Sequence, residues 1–179
     1  GSSADGYADA IEGTLNLYNR EPIASAKEWL DSEIKVMWAM QKSDGMIEGW
    51  HGDGNFARTT IMYCLWKTQG IVPLDWDDQL AIGAVQTTKG FKIAVSSPVG
   101  WKGKLKFDEP RHSTKMHYPA DYPRINQYQE WFVVEKNQTY ELSNIGAGTL
   151  NKIKGSVLAK GLEVEVKAGE TIFLEISSR

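Results

Sequence analysis

Residues 80–95 have the sequence LAIGAVQTTKGFKIAV, and this stretch decides the fold class of the chain. Every second position is apolar in two short runs separated by a polar segment. A period of two is typical of a strand with one buried face, and Thr-Thr-Lys-Gly is typical of a turn. The stretch therefore predicts a β-hairpin, whose alternating residues are Leu80, Ile82 and Ala84, then Phe91, Ile93 and Val95.

The same alternation continues toward the C-terminus. Trp101, Gly103, Leu105 and Phe107 share one face of a predicted strand, with lysines between them on the other face. Several short strands separated by turns predict an antiparallel β-sandwich. Further strands are predicted at residues 131–134, 140–142, 162–166 and 171–176, the last two as a pair around a turn at 167–170.

The first third of the chain has a helical period instead. Apolar residues recur three or four positions apart in three segments, with breaks at Pro22 and at residues 43–45. Trp29, Val36 and Met40 widen the apolar stripe of the second segment and predict burial on more than one side. Cys64, in an apolar stretch of the third, is predicted to be buried and inert.

Together these patterns predict an α+β protein with two domains. A short N-terminal bundle of about three helices occupies residues 1–72. An antiparallel β-sandwich follows over residues 73–179.

Composition excludes some classes of function. The formal net charge is −3, which argues against a nucleic-acid-binding protein. No apolar run approaches the roughly 20 residues needed to span a membrane. The chain starts with no secretion leader, but Gly1-Ser2-Ser3 resembles an expression scar, so export stays undetermined. Seven Trp and seven Tyr predict either an aromatic core or flat surfaces on which sugar rings pack.

The most polar short motif is EGWHGDGNFAR, residues 48–58. Its three glycines permit tight bends. Trp50 could hold a sugar ring while Glu48, His51 and Asp53 bond or transfer protons to its hydroxyls. Asn55 is a further candidate ligand-binding residue.

A structural interpretation of the same motif stays open. The glycines would then form an ordinary turn between helices, and Asp53 or Asn55 would be the N-cap of the third helix. Arg58 would pair with Glu48 or Asp53. In the functional interpretation, Arg58 orients a ligand or neutralises charge.

A second candidate segment runs from Pro110 to Trp131 and is rich in aromatic and hydrogen-bonding residues. It is either one wall of a ligand groove or a long connection pinned to the sandwich. Its candidate ligand-binding residues are Arg111, His112, Tyr118, Tyr122, Arg124 and Trp131.

Several cofactor and metal motifs are missing from the sequence. It has no phosphate-binding loop, no dinucleotide-binding glycine motif and no His-Glu-x-x-His zinc motif, so no cofactor is predicted. His112 and His117 lack a third ligand, and no metal site is predicted. Glu48 and Asp53 are the one close carboxylate pair in a context that suits glycoside cleavage.

Three segments together resemble the closing helices of bacterial six-hairpin (α/α) toroid proteins. They are YADAIE at residues 7–12, the motif at 48–58, and WKTQG at 66–70. A β-sandwich follows the helices in the same order in many glycan-degrading toroid enzymes, both hydrolases and lyases. The resemblance implies that this chain is the C-terminal part of a longer protein, since a toroid has many more helices. Key catalytic residues could then lie in the missing N-terminal part.

We therefore expect a C-terminal fragment of a glycan-processing protein, with a periplasmic or extracellular location favoured. It would contact an oligo- or polysaccharide where the two polar segments meet at the helix–sandwich junction, since clefts of that kind often bind ligands. Hydrolase and lyase chemistry both stay open, and the fragment is expected to be inactive alone. The alternatives are a non-catalytic carbohydrate-binding module and a purely structural domain. The residues expected to act in catalysis are Glu48, His51, Asp53 and Arg58.

Overall fold

A computed structural model describes residues 4–47, 54–88, 90–119 and 128–178. The chain divides into two compact units. The first, called the helical unit, consists of Gly1–Trp66 and Asp121–Gln129. The second, called the β unit, consists of Lys67–Ala120 and Glu130–Arg179. The predicted domain boundaries, 1–72 and 73–179, stay a prediction.

The described part of residues 1–67 contains three helices. They are α1 (Ala4–Arg20), α2 (Ala24–Trp38) and α3 (Asn55–Lys67). Pro22 separates the first two because proline has no N–H to continue a helical hydrogen-bond ladder. Each helix buries one apolar stripe, so the three helices predicted from sequence are confirmed. The buried residues include Ile11 and Leu15 of α1, Leu30, Ile34 and Met37 of α2, and Phe56, Met62 and Trp66 of α3.

The predicted burial of α2 on more than one side is wrong. Trp29, Val36 and Met40 are 38%, 53% and 44% exposed. A single stripe of α2 meets the other described helices, so its flanks face solvent. The predicted burial of Cys64 is wrong for the same reason, because its side of α3 is exposed. Partial burial nevertheless raises the pKa of the Cys64 thiol, which disfavours the reactive thiolate.

The β unit contains two antiparallel sheets. The five-stranded sheet has the order β2-β3-β8-β5-β6, and the three-stranded sheet has the order β1-β4-β7. A single π-helical turn, His112–Met116, and a short helix, α4 (Gly155–Lys160), lie in the connections. The strands are β1 (Val72–Pro73), β2 (Ala81–Thr87), β3 (Gly90–Ser96), β4 (Trp101–Lys106), β5 (Thr139–Asn144), β6 (Thr149–Lys154), β7 (Leu162–Val166) and β8 (Thr171–Ser178).

One apolar core lies between the two sheets. Phe91 and Ile176 from the larger sheet and Leu105 and Val164 from the smaller sheet belong to the same buried cluster. The register Thr87↔Gly90 closes the predicted hairpin of β2 and β3. The predicted fold class, an α+β chain with a helical bundle followed by an antiparallel sandwich, is confirmed.

Two strand predictions are wrong. β7 and β8 do not form a pair, because β7 pairs with β4 whereas β8 lies between β3 and β5. Residues 167–170 thus connect one sheet to the other. Residues 131–134 form one isolated bridge, Asp108↔Val133, instead of a strand. Their backbone N–H groups bind elsewhere, that of Trp131 to the Asp108 carboxylate and that of Phe132 to the carbonyl of Gln69.

Candidate functional site

The first candidate segment is described from Gly54 onward. Glu48, Trp50, His51 and Asp53 lie outside the described residues. The carbonyl of Gly54 accepts the backbone N–H of Arg58 at 2.9 Å, which is the first hydrogen bond of α3. Asn55 is therefore the first residue of α3, and Gly54 is at the N-cap position in place of Asn55.

Arg58 pairs with α1. Its Nε donates to Glu12 Oε1 at 2.8 Å, and its Nη2 lies 3.7 Å from Asp9 Oδ1. The Glu12 side chain is only 4% exposed and that of Arg58 is 23% exposed. Because an isolated buried carboxylate is very costly, this ion pair ties α1 firmly to the first turn of α3.

Thr59 completes this arrangement, which we call the Glu12 cluster (Asp9, Glu12, Arg58 and Thr59). The Thr59 hydroxyl donates to Glu12 Oε1 at 2.7 Å. Glu12 Oε2 is buried and has no hydrogen-bond partner among the described residues. With two carboxylates and one guanidinium, the cluster has a formal charge of −1, so the charge of Arg58 is already compensated.

The polar network extends one helical turn along α1. Asn16 Nδ2 donates to the carbonyl of Glu12 at 3.1 Å. Gln129 Nε2 donates to Asn16 Oδ1 at 2.8 Å, and Gln129 is only 1% exposed. The helical unit therefore contains a connected line of polar groups, of which Glu12, Thr59 and Gln129 are buried.

Trp38 has a fixed, partly open aromatic ring in the same unit. Its Nε1 donates to Thr60 Oγ1 at 3.3 Å, and Tyr63 packs edge-on against it with ring centroids 5.5 Å apart. The Tyr63 hydroxyl donates to Asp31 Oδ1 at 2.6 Å. Burial, followed by this hydrogen bond, strongly raises the pKa of Tyr63. Trp38 is 39% exposed, so part of a rigidly held ring faces solvent.

Asp108 organises the described part of the second candidate segment. It is buried and forms an ion pair with Arg111 Nη1. Its carboxylate also accepts the backbone N–H of Glu109 at 2.9 Å and that of Trp131 at 3.0 Å. Asp108 thus joins the chain before the segment to the chain after it.

His112 forms the second buried pair of this region. Its Nδ1 lies 2.6 Å from Glu130 Oε1, which also accepts the backbone N–H of His112 at 2.6 Å. His112 is 1% exposed, whereas Tyr118 is 44% exposed. No group of three His, Cys, Asp or Glu side chains that could bind a metal ion occurs within the described ranges. Tyr122 and Arg124 lie outside the described residues.

Asp108 makes the stability of the chain depend on pH. Burial raises the pKa of its carboxyl group, although the hydrogen bonds from Trp131 and Glu109 and the charge of Arg111 act to lower it. Because the pKa of Asp108 is raised in the folded state, its contribution to stability is fully present below its unfolded-state pKa of about 3.9. This contribution is lost as the pH rises through the folded-state pKa. We therefore expect the free energy of unfolding of the wild type, relative to Asp108→Asn, to fall as the pH rises above about 4. Urea unfolding of both proteins at a series of pH values measures this difference, and a rise over that range would contradict the raised pKa.

Described candidate residues occur in both units. Asn55 and Arg58 lie in the first turn of α3, and Arg111, His112 and Trp131 lie near Asp108 or Glu130 in the β unit. Whether any of them binds a ligand stays a prediction. The expected meeting of the segments 48–58 and 110–131 stays a prediction, and their residues 48–53 and 120–127 lie outside the described part of the chain.

Sequence reasoning did not select Glu12, Asp108 or Glu130, the three acidic partners of these groups. One signal for Glu12 was present, because it lies between Ile11 and Leu15 beside a strongly apolar stripe. A carboxylate so placed needs a partner. Its partners are 46 and 47 positions away in the chain, so their identity could not be read from local spacing.

Known proteins add no assignment to this geometry. No family model matches the chain, and no curated protein or solved structure is similar to it. No described helix has the length and apolar character needed to cross a membrane. The functional argument therefore depends on the residues of this chain.

Proposed function

We propose that this chain is the C-terminal part of a glycan-processing protein and that its helical unit contacts a neutral oligosaccharide beside the first turn of α3. The observation that carries the proposal is the pair between the buried Glu12 and the partly buried Arg58, which joins this turn to α1. The motif at residues 48–58 ends in that turn. Binding sites need supporting groups that hold their backbone rigid, and a buried ion pair meets this need.

Trp38 supports the proposal as an aromatic surface on which a sugar ring could stack. Sugar rings pack on flat aromatic faces, and such faces bind best when the ring is already held in place. Trp38 is held by Thr60 and Tyr63 while part of its surface stays open. Its Nε1 contacts Thr60 of α3, which follows Arg58 by two positions and therefore lies on another side of that helix.

Charge favours a neutral sugar over a uronic acid. A lyase acting on uronates needs a positive group to neutralise the substrate carboxylate. Arg58 and Arg111 are each paired with a buried carboxylate, and the Glu12 cluster has a formal charge of −1. A lyase reaction would depend on His51, Tyr122 and Arg124, whereas a neutral sugar needs only hydroxyl-binding groups. In a hydrolase, Glu48 or Asp53 would act as the acid or base.

Exposed apolar side chains of the helical unit support membership of a larger helical protein. Trp29 and Val36 of α2, Met40 just after it and Ile61 of α3 are all more than one third exposed. Large exposed apolar patches are typical of surfaces that another part of the protein covers. Further toroid helices would cover these residues.

A second candidate role applies to the β unit alone. Arg111 and His112 are bound to Asp108 and Glu130 in the interior. Such buried pairs favour a structural role for these two residues, in which they anchor the long connection to the sandwich. This unit would then have a structural role and would not contact the sugar.

We expect neutral oligosaccharides to raise the melting temperature of the protein. A ligand at 100 times its Kd adds about 2.7 kcal/mol of stability. Trp50→Ala should abolish the shift, because it removes the ring expected to stack on the sugar. Trp76→Ala is the matched control, since Trp76 is 88% exposed in the β unit. A thermal-shift screen with neutral and uronic-acid oligosaccharides measures both effects.

Each other outcome of the screen has a distinct meaning. A shift given by uronic acids alone would contradict the neutral-sugar assignment. A shift in melting temperature that survives in Trp50→Ala would contradict the proposed location of the sugar-binding site. If no sugar shifts the wild type, the proposed function is wrong and a structural role is favoured. Product analysis of the same mixtures would show whether bound sugar is also cleaved.

A further inference from the structure

The two sheets of the β unit have four edge strands, β1, β2, β6 and β7. Unpaired strand edges attract other strands, and proteins usually protect them with charged residues or proline. β1 contains Pro73, β6 contains Lys152 and Lys154, and β7 contains Glu163 and Glu165. β2 has the sequence AIGAVQT, seven residues without a charge or a proline. Of the strands that the structure describes, β2 is thus the unprotected edge.

An apolar trough lies on the outer face of the sheet beside this edge. It has a volume of about 500 Å³ and is lined by Gly83, Val85, Ala94, Ile145 and Phe173, with Lys67 and Lys92. Val85 is 62% exposed and Phe173 is 50% exposed. Gly83, Ala94 and Phe173 form one cross-strand row, so small side chains next to the aromatic ring create the depression.

The unprotected edge of β2 and the apolar trough beside it are complementary to those of a second copy related by a two-fold axis. We propose that β2 pairs antiparallel with β2 of a second copy of this chain, about an axis through Ala84. In that register, Val85 of each copy lies opposite Gly83 of the other, on the same face of the sheet. A Cβ atom added to Gly83 would meet nothing within 4 Å, so the space above Gly83 is open to receive the exposed valine.

The hydrogen-bond pattern of the hairpin agrees with this register. Thr87 and Gly90 flank the turn and are paired, so the odd-numbered residues of β2 bond to β3. The N–H and C=O groups of Ile82, Ala84 and Gln86 then point away from β3. A two-fold axis through Ala84 pairs Ala84 with itself and Ile82 with Gln86. The outward-pointing groups of one copy therefore meet those of the other.

Charge also permits a second copy as the partner. β2 has no charged residue, so the two strands do not repel each other. Lys92 lies on β3, so its two copies would be separated by three strand spacings, about 14 Å. This exceeds the Debye length of about 8 Å at physiological salt. Since one strand pair buries less surface than a standard interface, we expect a weak dimer.

Two variants test this pairing against a matched control. Gly83→Lys puts a charged side chain into the open space above residue 83, so the monomer folds while Val85 of the second copy would meet a charge. Val85→Lys replaces the exposed valine by a charge. We expect each to raise the dimer Kd at least about tenfold. Val99→Lys is the control, because Val99 is 66% exposed in the same unit outside the strands, and its Kd should equal that of the wild type.

Sedimentation velocity over protein concentrations up to about 1 mM measures these dissociation constants. A wild type that stays monomeric throughout would overturn the proposal. So would a dimer that Gly83→Lys and Val85→Lys leave intact, since the copies would then meet elsewhere. Amide hydrogen exchange adds an independent result. Protection of Ile82, Ala84 and Gln86 should rise with protein concentration, while that of Gly83 and Val85 should be high throughout. Equal behaviour of both sets would contradict the register.

Discussion

Replacement of Glu12 by alanine is expected to lower the free energy of unfolding by about 3–5 kcal/mol. The substitution removes the carboxylate that binds Arg58 Nε and the Thr59 hydroxyl. It leaves a largely buried guanidinium without its closest negative partner, and the loss of such a partner is among the costliest single changes. Urea unfolding followed by far-UV circular dichroism measures the effect.

Two further variants give a control and a measure of the Thr59 hydrogen bond. Glu28→Ala, on the exposed surface of α2, should stay within about 0.5 kcal/mol of the wild type. Thr59→Val keeps the size of the side chain but removes its hydroxyl, and should cost about 1 kcal/mol. A Glu12→Ala effect no larger than that of Glu28→Ala would mean that the Glu12 cluster does not hold α1 and α3 together.

Replacement of Asp108 by alanine is the second substitution for which we expect a loss of about 3–5 kcal/mol. It removes the ion-pair partner of Arg111 and the acceptor of two backbone N–H groups, those of Glu109 and Trp131. Buried N–H groups that lose their acceptor add their full desolvation cost. The same urea titration measures the effect, with tryptophan fluorescence as a second probe.

The control is Asp78→Ala, an exposed aspartate of the same unit, which should change stability by less than about 0.5 kcal/mol. Gly70→Ala probes the same contact from the other side. Its added Cβ would lie 2.5 Å from Asp108 Oδ2, and the φ of +77° already disfavours a side chain. If Asp108→Ala and Gly70→Ala both leave the stability unchanged, Asp108 does not anchor the long connection.

Elements with strong local periodicity could be predicted from the sequence. Ile11 and Leu15 mark α1, and Phe91, Ile93 and Val95 mark β3, because one face of each element is buried and the spacing records it. Local spacing does not show which strands pair with each other. β7 and β8 are joined by a short turn, but β8 pairs with β3 and β5 because it completes the larger sheet.

Two further misses have physical causes. Residues 131–134 are apolar enough for a strand, but their N–H groups are bound by the Asp108 carboxylate and the Gln69 carbonyl. β6 was missed because it is an exposed edge with Asn151, Lys152 and Lys154, so it lacks a buried alternating face. In the candidate site, too, contacts between residues distant in the chain could not be predicted from the sequence. Arg58 was selected from its motif, but its partner Glu12 lies 46 positions earlier and became evident only in the fold.

The most direct test of the central claim is a titration of the ¹⁵N-labelled protein with neutral oligosaccharides, followed by two-dimensional NMR. If the helical unit contacts the sugar beside α3, the backbone amides of Asn55, Arg58 and Thr59 and the Nε–Hε signal of Arg58 should shift in a saturable way. The indole signal of Trp38 should shift with them, while that of Trp76 should stay fixed. Saturable shifts confined to the β unit, or none with any neutral sugar, would contradict the claim that the helical unit contacts carbohydrate beside α3.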